Sequence, residues 1–230
     1  MSKPTPTLHF RVATADDAPL IHPLVESAYR GDESRLGWTT EADFLAGKRI
    51  ALPDLVAKIT NPDGAVLLAF DGTTSNQQDS EKAEPALVGC CEVFRRSKTV
   101  AYFGMFAVSP RRQGSGIGRQ LMEYAEEYCR RTWGAEKMEM KVLAGRPELV
   151  AWYVRRGYCK TGATQPFPVE ELARQGGVSL VGDLVFEVME KDLRGVDGVD
   201  GVGRTSATPI QQLGMDAVAD LVGGPEGVKE

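Results

Sequence analysis

The run Ser109-Pro110-Arg111-Arg112-Gln113-Gly114-Ser115-Gly116-Ile117-Gly118-Arg119 lies between an apolar strand pattern and an amphipathic helix pattern. Its alternating glycines permit sharp turns and leave no side chains in the way, so successive N–H groups can converge on one anion. The helix that follows adds its unpaired first-turn donors and the positive end of its dipole. The chemistry this suggests is pyrophosphate binding. A dinucleotide fingerprint needs a third glycine five positions after the first, but counting from Gly114 that place holds Arg119, and from Gly116 it holds Leu121. A Walker A loop needs Gly-Lys-Ser or Gly-Lys-Thr, which is absent. What remains is Gln113-x-x-Gly116-x-Gly118, either a specific anion cradle or a glycine-rich turn joining strand to helix.

The elements that must position this loop read as an α/β alternation. Leu8 to Ala13 forms a first strand, followed by a helix capped by Thr14 or Asp16 with Leu20, Ile21, Leu24, Val25 and Ala28 at helical spacing. Pro23 should bend that helix or mark its true start. Thr40 with Asp43 suggests a capping box for a short second helix, and Pro53 suits the first turn of a third over Leu55, Val56 and Ile59. Ala65 to Phe70, Leu87 to Phe94 and Thr99 to Val108 then read as the second to fourth strands, pairing antiparallel. The polar stretch Asp71 to Pro85 reads as a mobile hairpin insertion. After the glycine loop a helix carries Ile117, Leu121, Met122, Ala125, Tyr128 and Cys129 on one face and ends at Gly134. Lys137 to Leu143 is a fifth strand, Pro147 to Arg156 a short helix and Asp183 to Lys191 a last strand. The domain is therefore expected over residues 8–192, with 193–230 a flexible linker and tail in which Gln211 to Val222 could form a weak helix.

Composition bounds the function. The 230 residues are 42% hydrophobic and 26% charged with a net charge of −5, ordinary for one globular domain and unsuited to a general nucleic-acid binder. No run is long and apolar enough for a membrane span, so a cytoplasmic protein without nucleic-acid or membrane partners is expected. Cys90, Cys91, Cys129 and Cys159 show neither metal nor redox spacing and read as reduced packing residues; adjacent Cys90 and Cys91 should face opposite sides of a strand. The two histidines, His9 and His22, leave little material for a metal site or a Ser-His-Asp triad and read as structural.

Gln113-x-x-Gly116-x-Gly118, placed between the fourth strand and the long helix, resembles the acyl-coenzyme A signature of the GNAT acyltransferase superfamily. Arg146-Pro147-Glu148-Leu149-Val150-Ala151-Trp152-Tyr153-Val154-Arg155-Arg156-Gly157-Tyr158 resembles a later motif of the same family, with Arg146 standing where Asn is more usual. The resemblance implies a mixed, mostly antiparallel central sheet flanked by helices and splayed between the fourth and fifth strands. It implies acetyl-CoA as co-substrate, without metal, and transfer of the acyl group to a primary amine of a small molecule or peptide by direct attack in a ternary complex. A coenzyme-binding sensor that has lost transfer is the alternative, and a homodimer is compatible with either.

Residue by residue, the resemblance gives Met105, Phe106, Ala107 and Val108 to the pantetheine arm. Gln113, Gly114, Ser115, Gly116, Ile117, Gly118 and Arg119 fall to the pyrophosphate, and Arg111 and Arg112 to the 3′-phosphate. Tyr153 would protonate the departing thiolate. Tyr102 and Phe103 occupy the strand positions where the family often has a carboxylate, so the base falls to Glu92 on the neighbouring strand, acting through water. The acceptor site would lie along Tyr29 to Thr40, with Tyr29 and Trp38 as an apolar wall, Arg30, Arg35, Asp32 and Glu33 orienting a polar, zwitterionic ligand, and Tyr102 and Phe103 of the fourth strand also touching the substrate.

Overall fold

The computed structural model describes residues 6–72 and 85–194. Most of the insertion at 71–85, and the tail after Arg194 with its proposed helix, lie outside the described residues. In chain order the elements are β1 (Leu8–Val12), α1 (Ala18–Tyr29), α2 (Gly31–Ser34), β2 (Leu45–Gly47), α3 (Leu52–Ile59), β3 (Gly64–Asp71), β4 (Ala86–Arg95) and β5 (Val100–Val108). There follow α4 (Ile117–Trp133), β6 (Lys137–Leu143), α5 (Pro147–Val154), β7 (Cys159–Pro166), α6 (Val169–Arg174), β8 (Gly177–Ser179) and β9 (Val185–Asp192).

Seven strands form one sheet in the order β1-β3-β4-β5-β6-β9-β7, antiparallel throughout except for the β5–β6 pair. Two apolar clusters cover its faces. Ile21, Leu24 and Val25 of α1 and Leu55 and Ile59 of α3 pack on Val66, Leu68 and Cys90. On the other face Ile117, Leu121, Met122, Ala125 and Cys129 of α4 pack on Leu67, Cys91 and Val93. Cys90 and Cys91 thus point to opposite sides, as a strand requires. Cys129 is also buried, but Cys159 is exposed on β7, which corrects its reading as a packing residue.

β5 carries one more residue than its partner. Cys90 pairs with Ala107 and Glu92 with Gly104, so two steps on β4 span three on β5, a β-bulge. Met105 takes up the irregularity with φ of 42°, in the left-handed region that costs a side-chain-bearing residue about 1–2 kcal/mol. The bulge shifts the phase of the strand. Ala101 and Phe103 belong to the α4-side cluster, whereas Met105 and Ala107 belong to the α1/α3-side cluster.

Several local expectations change. Pro23 sits inside α1 rather than at its start, which lies at Ala18. Thr40 and Asp43 start no helix: the Thr40 hydroxyl accepts from the Ala42 N–H at 3.0 Å, and Phe44 and Leu45 both bond back to Glu41. This turn delivers the chain into β2, which pairs with β8 in a small ribbon from Leu45↔Ser179 to Gly47↔Gly177. The short helix of this region is α2 instead. At the entry to α1, Asp17 accepts from the Thr14 N–H at 2.8 Å and receives a forked Arg11 contact at 2.6 and 2.7 Å.

Hydrogen bonding from Arg11, reinforced by Thr14, overrides partial desolvation and pulls the Asp17 carboxyl down to about 2. A carboxyl depressed on folding adds stability above its unfolded pKa of about 3.9 and loses it as pH falls through about 2. Arg11 is half exposed, so solvent screens most of the pair and the cap dominates. Asp17→Asn should lower unfolding stability by about 1 kcal/mol at pH 7, with the difference vanishing toward pH 2 in denaturant titrations.

Candidate active site

The glycine loop follows a 3-10 turn at Pro110–Arg112 and runs into α4. Gly114 and Gly116 have φ of 77° and 89°, so the turn uses conformations that other residues strain to adopt. The N–H groups of residues 114–119 donate to no main-chain carbonyl, and they sit at the positive end of a 17-residue helix. Gly118 serves a different need. A Cβ there would come within 3.2 Å of the Phe106 ring and 3.6 Å of Trp152, so only hydrogen leaves the channel wall between them open. Unused donors, left-handed glycines and a bare wall fit a diphosphate with an arm passing along Phe106.

One cavity of about 660 Å³ joins this loop to the sheet. The parallel ladder of β5 and β6 runs from Val100↔Lys137 to Phe103↔Met140. Beyond it, Gly104, Met105, Phe106 and Val108 line the cavity on one side and Lys141, Val142 and Leu143 on the other. Of the residues expected at the coenzyme, Met105, Phe106, Val108, Gln113, Gly114, Gly116, Gly118 and Arg119 border the cavity. Gln113 works as a brace: its Nε2 donates to the Val108 carbonyl at 3.2 Å and its Oε1 accepts from the Trp38 N–H at 3.1 Å.

Others are elsewhere. Ala107 is buried in the α1/α3-side cluster and Ile117, on α4, in the cluster of the opposite face, and the Ser115 hydroxyl turns back to the Arg112 carbonyl at 2.6 Å. Arg112 was expected to face a phosphate. Its guanidinium instead pairs with Asp71, a fully buried carboxylate whose charge needs a partner. Arg111 is exposed and pairs with Glu33 at 3.5 Å.

Tyr153 lies at the junction, on α5, where Trp152 meets it edge-on and Phe106 stands behind Trp152. Its hydroxyl hydrogen-bonds to no described residue, although the side chain borders the cavity. Desolvation pushes this phenol far above the usual tyrosine range, so it stays protonated. Its neighbour Tyr102, stacked on Phe94 at 4.7 Å, is pushed up to about 12, first by burial and then by the charge of Glu92.

Glu92 shares the face of Cys90 by strand alternation and is buried, not exposed. Both carboxylate oxygens accept from Lys58 Nζ at 2.9 Å, and both side chains border the cavity. Of the acceptor residues, Tyr29, Arg30, Trp38, Tyr102 and Phe103 border it. Tyr29 donates its hydroxyl to the Phe106 carbonyl at 2.9 Å, which occupies that acceptor at the bulge. Arg30 is buried and bound to Glu41 at 3.1 Å, while Arg35 is held outside by Asp43 at 2.6 Å. Asp32 and Glu33 do not border this cavity. Arg35, Asp32 and Glu33 therefore lie away from the ligand space, which corrects their orienting role, whereas Arg30 borders it but is held by Glu41.

Sequence reading missed Glu41, Arg49 and Lys141, which do border it, and the role of Arg146. Glu41 binds Arg30 and Arg146, and Arg146 also donates to the Thr39 hydroxyl at 2.9 Å, tying this loop to the start of α5. Only the unusual Arg146 signalled this network in advance.

A seven-stranded mixed sheet with a glycine loop opening onto a parted parallel strand pair defines an acyl-coenzyme A transferase fold. The sequence pattern of the acetyltransferase (GNAT) family matches residues 38–158, and the chain belongs to that family. Its solved likenesses include spermidine/spermine N-acetyltransferase SpeG from Vibrio cholerae in complex with manganese ions. That match has 16% identity and a TM-score of 0.53 over 81% of this chain and 92% of that one. Another is yncA from Salmonella typhimurium with its cofactor acetyl-CoA, 16% identical with a TM-score of 0.55 over 85% of this chain and 99% of that one. At such identities these likenesses speak for the fold. Among curated proteins none matches. No helix among the described residues is long and apolar enough to cross a membrane.

Gly116→Ala should weaken coenzyme A binding at least 10-fold in calorimetric titrations, because the αL turn that aims the loop is strained by about 1 kcal/mol and the donors lose alignment. Gly134→Ala carries the same backbone strain far from the loop, at the end of α4, and should leave that affinity within about twofold.

Proposed function

We infer that the protein transfers an acetyl group from acetyl-CoA to the primary amine of a small molecule or peptide, by direct attack within a ternary complex. The observation that carries this reading is the cavity itself: it runs unbroken from the glycine loop, past the bulge in β5 and Tyr153, to the Glu92–Lys58 pair. The neighbours fit it, since one acts on spermidine and spermine and another holds acetyl-CoA. Three buried thiols fit a cytoplasmic setting.

The pyrophosphate belongs on the free N–H groups of residues 114–119, and the pantetheine arm along Gly104 to Val108, where the bulge leaves backbone without a cross-strand partner. A main-chain N–H there polarises the thioester carbonyl and takes up the developing oxyanion. The amine nitrogen attacks that carbon, the C–N bond forms, and collapse of the tetrahedral species breaks the C–S bond. The sulfur departs beside Tyr153, which supplies its proton, and the proton shed by the newly acylated nitrogen restores the phenol. Burial that raises the phenol also raises the basicity of a thiolate in the same apolar space, so the transfer remains matched.

An alkylammonium near pKa 10.4 must first lose its proton. Glu92 accepts it through water while Lys58 holds the carboxylate in place. The three cavity tyrosines, Tyr29, Tyr102 and Tyr153, stay protonated, so kcat/KM should climb with pH toward the amine pKa, with no falling limb below about pH 10.

Tyr153→Phe should reduce kcat about 10- to 100-fold while coenzyme A affinity stays within about twofold. Free-thiol release measured with acetyl-CoA and a panel of amines tests this, and an unchanged kcat would remove Tyr153 from the reaction. Glu92→Gln should lower kcat by a similar factor, with the loss shrinking as pH approaches that of the free amine.

A further inference from the structure

The acceptor end of the cavity has more positive charge than its carboxylates can match. Strand alternation puts Glu92, Tyr102 and Lys141 on the same face of the sheet, because Cys91, Val93, Phe103, Met140 and Val142 all point into the α4 cluster. On that face Lys58 is matched by Glu92, and Arg30 and Arg146 share the single carboxylate of Glu41. Glu171, on the wall formed by α6, is paired with Arg174 of its own helix. Two cations are left over. Arg49 stacks its guanidinium 4.7 Å from the Tyr29 ring centroid and forms an ion pair with no described carboxylate. Lys141 Nζ stands 6.0 Å from the Tyr102 ring centroid, also without an ion-pair partner among the described residues. Both border the cavity.

The fold holds Arg49 there deliberately. The β2–β8 ribbon fixes the segment that follows it, Lys48 donates its N–H to the Gly176 carbonyl at 3.2 Å, and the Arg49 N–H is bound by Glu26 at 2.9 Å. Its charge reaches Tyr102, and that of Glu92 reaches Arg49, so the surplus cation and the proton-accepting carboxylate share one chamber.

We propose that the acceptor is a small amine that also carries a carboxylate, its amine directed to Glu92 and the thioester and its carboxylate held by Arg49 with Lys141. This rests on the acetyl-transfer reading and names the substrate class of that site. A polyamine brings two or more positive charges into a chamber whose surplus is already positive, and finds its one sheet carboxylate matched by Lys58. A carboxylated amine supplies the missing negative charge, and a planar guanidinium suits its two oxygens.

Thiol release from acetyl-CoA is measured with amino acids, the corresponding amino-acid amides, diamines and polyamines, and O-phosphorylated amines. The carboxylated amines should exceed their amides in kcat/KM by about 10- to 100-fold, the scale of a charge-assisted hydrogen bond. Arg49→Gln, and separately Lys141→Met in case the first fails to fold, should raise KM for the carboxylated amine at least 10-fold and shrink its advantage over the amide. Polyamines or amides used better than carboxylates, or a phosphorylated amine preferred to all of them, would overturn the proposal and leave acetyl transfer standing. No release with any amine, from protein that binds coenzyme A, would overturn the transfer reading and this inference together.

Discussion

The extra residue in β5 is the constraint on which the site depends. A regular strand would continue its ladder with β4 and keep one face toward α4, but the bulge at Met105 moves Met105 and Ala107 to the other cluster and interrupts the pairing. The same place is where β5 and β6 stop pairing and begin to face each other across open space. Met105 holds a conformation that costs about 1–2 kcal/mol, which persists because its side chain is buried among Leu68, Cys90 and Ala107. The hydroxyl of Tyr29 then takes the Phe106 carbonyl, which would otherwise be an unpaired acceptor beside the gap.

Everything around the gap is arranged by elements on either side of it. The α4 side supplies the glycine loop, Trp152 and Tyr153, and the α1/α3 side supplies Lys58, Glu92 and Tyr29. Two braces join these halves. Gln113 links the end of β5 to Trp38, and Arg146 links Thr39 and Glu41 to α5. Gly37 shows how tight the first is, since a Cβ there would sit 2.5 Å from Gln113 Oε1. The two ends of the cavity are thereby set by one network, in keeping with the ternary complex proposed for the transfer.

Much of this was legible in the sequence. Glycine spacing marked the anion-cradle loop because backbone geometry there is dictated by residue type, and the Trp152-Tyr153 pair marked α5 through its resemblance to a family motif. The strongly periodic strands and α4 were equally plain. β7 was not, because its residues are exposed on both faces, Gly162 turns at φ of 82°, and the pairing slips between Lys160 and Thr164. The β2–β8 ribbon, three residues a side, is too short for any period to show. The bulge was hidden as well, since it falls on Met105 rather than on a glycine. Charge partners were the hardest to foresee. Arg112 to Asp71, Glu41 to Arg30 and Arg146, and Glu92 to Lys58 all join residues distant in the chain, so only the folded sheet decides which cations are spent on structure and which face a ligand.

The central claim is that the backbone released by the β5 bulge, together with the free N–H groups of the glycine loop, forms the coenzyme channel. Amide hydrogen exchange of the full chain with and without saturating coenzyme A tests it most directly. The account predicts new protection concentrated at residues 104–108 and 114–119. Saturation that leaves both segments exchanging at their ligand-free rates, with protection arising elsewhere, would contradict it.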